Sequence, residues 1–328
     1  MEHVAEIGTE AEAVVRRYEA FAAHCARGAS PAYAEIAREL ARDRAVVELV
    51  CELPAGNKRQ PNLLLASVRF LGGPVDSWAE FRSYLVEHWE SVRAVVLERS
   101  TQTNEVRRLA SVLPVLASLP GPLALVEVGA SAGLCLYPDR YRYSFDGAAP
   151  IGPARSEVLL ECATSGRVPV PDRVPEVVWR AGIDLHPLDV RSEEDVRWLQ
   201  ALIWPGGAGR ERTERLMGAV GVAAADPPLM VAGDLVEQVE AVVRRAPSEA
   251  TVVVMHSAVL PYLPKERVAA FVQAMDRVLG HWVANEGWRS LPGWPRVRPP
   301  VEDDFTLALD GRVVGYTGEH GQSVTWSG

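Results

Sequence analysis

Short apolar runs alternate with helical segments throughout the part of the chain that follows residue 120, and this alternation constrains the fold more than any other feature. The apolar runs are Leu123–Val128, Val177–Ile183, Leu229–Ala232, Thr251–Met255 and Trp282–Ala284. The segments with helical periodicity are Glu193–Leu202, Arg210–Val220, Leu235–Arg245 and Lys265–Leu279. Strands that alternate with helices predict a parallel sheet with crossover helices. We therefore expect an α/β domain here.

The last part of the chain predicts antiparallel strands. Phe305–Leu309 and Val313–Tyr316 flank the turn residues Asp310-Gly311, which is typical of a hairpin. Val324–Trp326 is expected to add a strand beside it. The predicted sheet is therefore mixed, with an antiparallel C-terminal hairpin at one edge.

Residues 10–119 show helical periodicity and require no strand. Apolar residues at three- and four-residue steps predict one long helix from Trp78 to Val95. The segment Pro120-Gly121-Pro122 closes this region. We expect an all-helical N-terminal domain over residues 1–120, which caps an α/β domain over residues 121–328 and helps to hold the substrate.

Charge limits the class of partner. The 328 residues include 34 Lys and Arg against 43 Asp and Glu, which gives a formal net charge of -9. This charge disfavours nucleic-acid phosphates and anionic membranes as partners and favours a neutral or cationic small molecule. The tryptophans, Trp78 and Trp204 among them, have no basic stripe beside them and are expected in the core.

The four cysteines show no CxxC pair, so neither a zinc site nor a disulfide framework is expected. The N-terminal segment lacks a basic start followed by an apolar run, and no apolar stretch has the length of a membrane span. These features predict a cytoplasmic protein. The sequence leaves open whether the chain forms a homodimer.

The first apolar run leads into the sequence Glu127-x-Gly129-x-Ser131-x-Gly133. Small residues there let a ligand approach the backbone, and a helix that begins after them offers unpaired N–H groups. The embedded pattern G-x-S-x-G is compatible with two different chemistries.

The first chemistry is that of an α/β-hydrolase with a nucleophile elbow. Ser131 is then the nucleophile, and His256, His281 or His320 is the base. That fold places several strands before the elbow, whereas the region before Ser131 is helical. This alternative is therefore the weaker one.

The second interpretation takes the acid Glu127 as part of the motif. The run from Glu127 to Gly133 resembles the acidic-plus-glycine first motif of class I methyltransferases that use S-adenosylmethionine, with Ser131 in place of the usual middle glycine. The resemblance implies that the loop backbone, at Gly129, Ser131 and Gly133, lies against the methionine part of the cofactor. Glu127 would organise the site around the cofactor's amino group.

Two further segments follow in the order found in that family. Asp184, followed by Leu185, resembles the end of the second strand, where an acid accepts both ribose hydroxyls. Asp234, followed by Leu235, resembles the Gly-Asp of the third strand, where the acid meets the adenine amine. The resemblance makes all four residues cofactor-binding.

Residues 251–264 resemble the fourth strand and the catalytic loop of the same enzymes. His256 stands where that loop begins, so the resemblance places it beside cofactor and substrate, and an imidazole there can take a proton, although a lone histidine is more often structural. Ser257 and Tyr262 become candidate substrate-binding residues, although capping and packing explain them equally well.

The resemblance covers roughly residues 120–290 and implies a Rossmann-like class I methyltransferase sheet with S-adenosylmethionine as cofactor. A narrower set of segments looks like a bacterial family of unknown function. These segments are Gln102–Glu105, Gly129–Gly133, Asp139–Tyr143 and Trp204-Pro205.

About fifty residues separate the glycine loop from Asp184, far more than an ordinary crossover needs. The polar and aromatic segment Asp139–Tyr143 opens this insertion. Tyr141 and Tyr143 are expected either to cover the cofactor and line the substrate pocket or to anchor an exposed loop.

Three other polar residues are candidates. Asn104 and Glu105 are expected on a helix just ahead of the sheet, within reach of the glycine loop, although a solvated helix face also explains them. Glu286 follows the fifth apolar run. If Glu105 and Glu286 both face the pocket as catalytic carboxylates, they favour a cationic amine or guanidine as acceptor.

The function expected from the sequence is methylation of nitrogen in a small polar amine or guanidine, such as an amino acid. Oxygen of a hydroxyl or carboxylate is the rival acceptor. Alignment of acceptor and methyl group and exclusion of water are sufficient for the transfer, so no metal is expected. The same fold also supports cyclisation or elimination reactions of S-adenosylmethionine. Because Ser131 departs from the usual glycine, a noncatalytic protein that binds the cofactor is a further alternative.

Overall fold

A computed structural model describes residues 2–26, 30–102, 104–290 and 298–327. The helices are α1 (Glu2–Ala26), α2 (Pro31–Leu40), α3 (Arg44–Cys51), α4 (Pro61–Phe70), α5 (Trp78–Glu87), α6 (Trp89–Glu98), α7 (Arg108–Ser118), α8 (Glu193–Ala201), α9 (Gly209–Ala225), α10 (Leu235–Val243) and α11 (Lys265–Met275). The strands are β1 (Leu123–Val128), β2 (Arg142–Phe145), β3 (Leu159–Ser165), β4 (Val177–Asp184), β5 (Leu229–Ala232), β6 (Thr251–Ser257), β7 (His281–Gly287), β8 (Phe305–Leu309), β9 (Arg312–Thr317) and β10 (Ser323–Trp326).

The chain forms two compact units. The first contains Met1–Thr103 and Glu193–Glu214, and the second contains Asn104–Ser192 and Arg215–Gly328. The division falls at residue 103 and not near residue 120, because α7 groups with the sheet. Eight consecutive residues of α7, from 109 to 116, are buried, which shows that this helix is surrounded by protein.

The first unit is helical, as the sequence predicts. Side chains of Ser30, Asp43 and Ser77 cap α2, α3 and α5 by accepting a backbone N–H from the first helical turn. The expected single helix from Trp78 to Val95 is wrong, because α5 ends and α6 begins at His88. The backbone at His88, with φ -113° and ψ 22°, leaves the helical region, and its Nδ1 lies 3.0 Å from the carbonyl of Tyr84.

The predicted helix Glu193–Leu202 exists as α8, but it packs in the helical unit instead of covering the sheet. Arg99 pairs with Glu194 and Asp195 at 2.5 and 2.7 Å. The indole N–H of Trp198 donates to the carbonyl of Ser100 at 3.2 Å. These contacts tie α8 to the end of α6.

The second unit is built on a sheet with the strand order β2-β3-β10-β9-β8-β7-β6-β1-β4-β5. The central strands β5, β4, β1, β6 and β7 are parallel, and β8 and β9 form the predicted antiparallel hairpin, which β10 extends. All six residues of β1 are buried, as expected for a strand covered on both faces. The sequence therefore predicts correctly a mostly parallel sheet with antiparallel C-terminal strands.

The sheet grows from β1 in both directions, since β4 lies on one side of β1 and β6 on the other. In open α/β sheets such a reversal leaves a crevice at the carboxyl ends of the strands, and ligands bind there. Helices α10 and α11 pack on the central strands through Val239 and Phe271, both fully buried. The carboxyl ends of β1, β4, β5 and β6 are therefore where a site is to be sought.

The crossover from β1 to β4 differs from the expectation. Residues 129–176 contain no α-helix; the glycine loop is followed by a short 3-10 turn, Leu134–Leu136, and then by β2 and β3. The expected helix start after the loop is therefore wrong. The insertion instead forms the far edge of the sheet, where β3 pairs with β10.

Candidate functional site

The loop after β1 adopts left-handed backbone at every second residue. The φ angle is 68° at Gly129, 53° at Ser131 and 70° at Gly133. This conformation is costly for residues other than glycine. Ser131 therefore stands at a position that favours glycine, which is consistent with a pattern of three glycines modified at its middle position.

Asp184, the last residue of β4, fastens this loop. Its Oδ2 accepts the backbone N–H of Ser131 at 2.8 Å, and its Oδ1 accepts that of His186 at 2.9 Å. The carbonyl of Ser131 accepts the N–H of Leu188 at 3.0 Å. The carboxylate for which the sequence predicts a ribose contact therefore also holds the loop after β1.

Asn104 braces the same loop from the other side. Its Nδ2 donates to the carbonyl of Ala130 at 2.8 Å, and its Oδ1 accepts the N–H of Leu134 at 3.2 Å. The expected proximity to the glycine loop is confirmed, but Asn104 lies in the segment before α7 and not on a helix. Because both ends of the amide hold the loop, Asn104 supports the site and is not placed as a substrate ligand.

Glu105 is held by cations of the chain itself. Its two carboxylate oxygens lie 3.3 Å from Nε and Nη2 of Arg215, and the pair is buried. Oε1 also accepts the backbone N–H of Arg107 at 3.1 Å. The carboxylate is therefore already compensated, which removes the basis for expecting Glu105 to attract a cationic acceptor.

Glu127 is the exceptional acid of the site. Burial raises the pKa of its carboxyl to about 8, with the charge of Asp184 adding to the rise and that of Arg108 opposing it. Its Oε2 has no hydrogen-bond partner within the described part of the chain. A buried polar atom of this kind is costly unless a ligand or water satisfies it. The expectation that Glu127 needs a partner is consistent with this geometry.

A cavity of about 30 Å³ lies against Glu127, at the carboxyl ends of β1 and β6. Its walls include Cys135, Met255 and Ser257, and Arg108 from α7. This volume exceeds what one water molecule needs. The cavity therefore occupies the point where the growth of the sheet reverses.

His256, also a wall of this cavity, is buried between two polar partners. The indole N–H of Trp282 donates to its Nε2 at 2.9 Å, and its Nδ1 lies 2.7 Å from Oε1 of Glu286. An indole N–H only donates, so Nε2 must be the acceptor and Nδ1 must carry the proton. The imidazole therefore donates to the carboxylate of Glu286.

This arrangement corrects two predictions. A general base needs a free lone pair, but Nε2 of His256 already accepts from Trp282, so His256 is not placed as a base. Glu286 lies inside β7, fully buried, and its Oε1 also accepts the backbone N–H of Val259 at 2.9 Å. Glu286 is thus an internal anchor and not a carboxylate that faces an acceptor.

Ser257 and Tyr262 lie at the two ends of the loop that follows β6. The hydroxyl of Ser257 accepts from Nδ2 of Asn285 at 3.2 Å, and Oδ1 of Asn285 accepts the hydroxyl of Thr317 at 2.7 Å. Tyr262 is 45% exposed. Both side chains therefore lie beside the strand end, and their substrate contacts stay predictions.

Asp234, Leu235 and Leu185, three predicted cofactor-binding residues, have different surroundings in the structure. Oδ1 of Asp234 caps α10 by accepting the N–H of Val236 at 2.8 Å and also pairs with Arg267. The side chain of Leu235 is buried in the hydrophobic core, and its predicted cofactor contact stays a prediction. Leu185 is 63% exposed beside Asp184 and remains available to a ligand.

Tyr141 and Tyr143 are both completely buried. Their hydroxyls donate to the carbonyls of Leu134 at 2.8 Å and Pro138 at 2.9 Å. The two tyrosines therefore neither line a pocket nor anchor an exposed loop, which were the two predicted alternatives. They are packing residues that fix the chain between the glycine loop and β2.

The hydrolase alternative loses its support from the fold. The nucleophile elbow requires a helix directly after the serine, whereas Ser131 is followed by a 3-10 turn. His281 begins β7 and therefore lies at the amino end of the parallel strands, opposite the loop after β1. His320 lies in the turn between β9 and β10, with Nδ1 3.4 Å from Glu319.

Sequence reasoning missed several residues that build this site. Arg108 and Cys135 line the cavity, Trp282 fixes the imidazole of His256, and Val259 packs against the glycine loop. The only signal was the polar pair Asn285-Glu286 directly after an apolar run, since buried polar residues in a strand need internal partners.

Comparison with known proteins assigns the chain to a family. The site is that of an α/β protein with a small cavity at a strand reversal. The chain belongs to the DUF2332 family, described as an uncharacterized protein conserved in bacteria, whose model matches residues 15–326. No curated protein and no solved structure matches the chain. No helix within the described ranges is both long and apolar enough for a membrane span.

Proposed function

We propose that the chain binds S-adenosylmethionine at the carboxyl ends of its central strands and transfers the methyl group to a small molecule. The observation that carries this proposal is the placement of three acids on three neighbouring strands. Glu127 lies near the end of β1, Asp184 ends β4, and Asp234 is the second residue after β5. The order β5-β4-β1-β6-β7 supports the finer interpretation as a Rossmann-like methyltransferase sheet.

The residues present fit the polar groups of this cofactor. An ammonium group against the buried Oε2 of Glu127 would satisfy an atom that otherwise lacks a partner. Asp184, the last residue of β4, lies where the resemblance places the acid that meets the ribose hydroxyls. Asp234 makes both of its contacts with Oδ1, which leaves Oδ2 to face an adenine amine.

When bound, the cofactor supplies an electrophilic methyl group. The part of the protein is then to bind, orient and exclude water, which are sufficient for a direct displacement. Asp184 and Asn104 hold the glycine loop in its left-handed conformation. We expect the acceptor to contact Ser257, the last residue of β6, and Tyr262, five residues further on. The attacking nitrogen must present a free lone pair to the methyl group, so a protonated amine or guanidinium must first lose its proton to water.

The acceptor we propose is a small polar amine or guanidine, with hydroxyl or carboxylate oxygen as the rival. Because Glu105 and Glu286 are paired inside the protein, this choice now rests on the net charge of -9 alone. Incubation with S-adenosylmethionine and a panel of amines, guanidines, alcohols and carboxylates, with S-adenosylhomocysteine as the measured product, tests both acceptor classes.

The variant Ser131→Gly separates this proposal from ester hydrolysis. Glycine restores the residue that left-handed backbone favours, so formation of S-adenosylhomocysteine should persist in this variant. A serine nucleophile would be lost instead. If the wild type hydrolyses esters and Ser131→Gly does not, the methyltransferase proposal is wrong.

A further inference from the structure

The loop that follows β6 is anchored from β7 by one carboxylate oxygen. Oε1 of Glu286 accepts the N–H of Val259 at 2.9 Å and that of Leu260 at 3.4 Å, besides the Nδ1–H of His256 at 2.7 Å. Ala258, just before these residues, has φ 58°, so the chain reverses sharply there. Three donors on one buried oxygen define the position of this loop.

The anchored loop rests on the glycine loop. A Cβ added at Gly129 would lie 2.3 Å from Cγ2 of Val259, a distance that no two carbon atoms tolerate. The side chain of Val259 therefore covers Gly129 directly. Through Val259, the carboxylate of Glu286 in β7 fixes the contact between the loop after β6 and the loop after β1.

The same elements enclose the cavity beside Glu127. His256, which donates to Glu286, and Ser257, which precedes the anchored loop, are both wall residues. Cys135 lines the cavity from the glycine-loop side. Release of the anchored loop would therefore free two walls of the cavity, His256 and Ser257.

We propose that Glu286, oriented by His256 and Trp282, is the positioning residue that seats the loop after β6 on the glycine loop and so controls access to the cavity at the ends of β1 and β6. The identity of the entering ligand rests on the proposed function, whereas the seating of the loop does not. Glu286 does not touch the reacting atoms in this role.

The chemistry of the anchor predicts which replacements preserve it. Glutamine keeps an acceptor oxygen at the position of Oε1 and places its NH₂ where Oε2 lies, an atom without a hydrogen-bond partner among the described residues. Alanine removes the acceptor and leaves the N–H groups of Val259 and Leu260 buried and unpaired, so the loop is released. Glu286→Ala and Glu286→Gln therefore form a matched pair.

Peptide-resolved alkylation of cysteines by iodoacetamide measures access without any ligand. Cys135 reports on the cavity, whereas the buried Cys25 and Cys162 report on general loosening. Glu286→Ala should label Cys135 at least tenfold faster than the wild type, with Cys25 and Cys162 unchanged. Glu286→Gln should stay within about threefold of the wild type, since it retains the acceptor.

Val259→Ala removes the cover over Gly129 while leaving the anchor intact, so it should also accelerate labelling of Cys135. An unchanged Cys135 rate in Glu286→Ala, or equal acceleration at all three cysteines, would overturn the proposal. The second result would mean that Glu286 serves only the stability of the fold.

Dissociation of S-adenosylhomocysteine gives the functional readout. If the wild type binds this ligand, Glu286→Ala should raise its dissociation rate at least tenfold, and Glu286→Gln should not. An unchanged dissociation rate overturns the positioning role even when labelling changes. If the wild type does not bind it, the proposed cofactor is wrong, and the labelling result alone decides whether Glu286 controls access.

Discussion

The indole N–H of Trp282 donates to Nε2 of His256 at 2.9 Å, and this hydrogen bond determines where the imidazole carries its proton. Because indole cannot accept, the proton sits on Nδ1 and points at Glu286, 2.7 Å away. His256 of β6 and two residues of β7, Trp282 and Glu286, thereby form one buried chain of hydrogen bonds. Because both ring nitrogens of His256 are used in this chain of hydrogen bonds, the histidine has a structural role.

The tautomer of His256 is directly measurable. We expect ¹⁵N NMR to show a protonated Nδ1 and an unprotonated Nε2 for this residue at pH 7. Trp282→Phe removes the donor to Nε2 and should change that nitrogen's shift, while the exposed His186 stays the same and acts as the control. A proton on Nε2 in the wild type contradicts the assigned direction.

Ser131 and Gly129 both have positive φ but should respond to substitution in opposite ways. Ser131→Gly relieves left-handed strain and should be neutral or stabilising by up to about 1 kcal/mol. Gly129→Ala adds a methyl group 2.3 Å from Val259 and should destabilise by more than about 2 kcal/mol. Urea unfolding of the two variants measures the difference, and equal effects would refute the described loop.

Glu127 makes stability depend on pH with a defined sign. Burial raises its pKa from 4.5 to about 8, so between these values the unfolded chain has lost a proton that the folded chain keeps. Stability therefore falls as the pH rises through this range. Glu127→Gln removes the effect and should gain roughly 5 kcal/mol relative to the wild type above pH 8, with little difference at pH 4.

Thermal unfolding of wild type and Glu127→Gln across pH 4 to 9 checks this expectation. The exposed Glu161, on β3, provides the control substitution Glu161→Gln, which should show no such pH dependence. A constant difference between Glu127→Gln and the wild type at all pH values would show that the carboxyl is not desolvated as described.

The ion pair of Glu105 with Arg215 should matter for stability and not for ligand affinity. Both side chains are buried, so Glu105→Gln leaves the guanidinium uncompensated and should cost about 3 kcal/mol. The double variant Glu105→Gln with Arg215→Met should recover part of this loss. Affinity for S-adenosylhomocysteine, measured in the same variants, should change less than threefold. A much larger loss of affinity would show that Glu105 contributes to ligand binding.

The sequence predicts the central strands well because they are continuous apolar runs, and β1 is buried at all six positions. It misses β2 and β3, whose ladder is completed by β10 from the far end of the chain. Such pairing has no local signal. The left-handed loop and the acids at the strand ends were recognisable from residue type and position.

The sequence does not show which polar residues of the site are hydrogen-bonded to one another. His256 stands beside Ala284 in the register of β6 and β7, which brings Trp282 and Glu286 to either side of its ring. Without the register, a histidine at a strand end and a glutamate after an apolar run look like two separate functional residues. Their mutual satisfaction appears only when the strands are paired.

Isothermal titration with S-adenosylhomocysteine tests the central claim most directly, on the wild type, Asp184→Asn and the control Asp189→Asn. Asp184 fastens the glycine loop, whereas Asp189 pairs with Arg191 at the surface a few residues away. We predict micromolar binding by the wild type and by Asp189→Asn, and at least a hundredfold loss in Asp184→Asn. Absence of binding by the folded wild type, or equal affinity in all three proteins, would contradict the account.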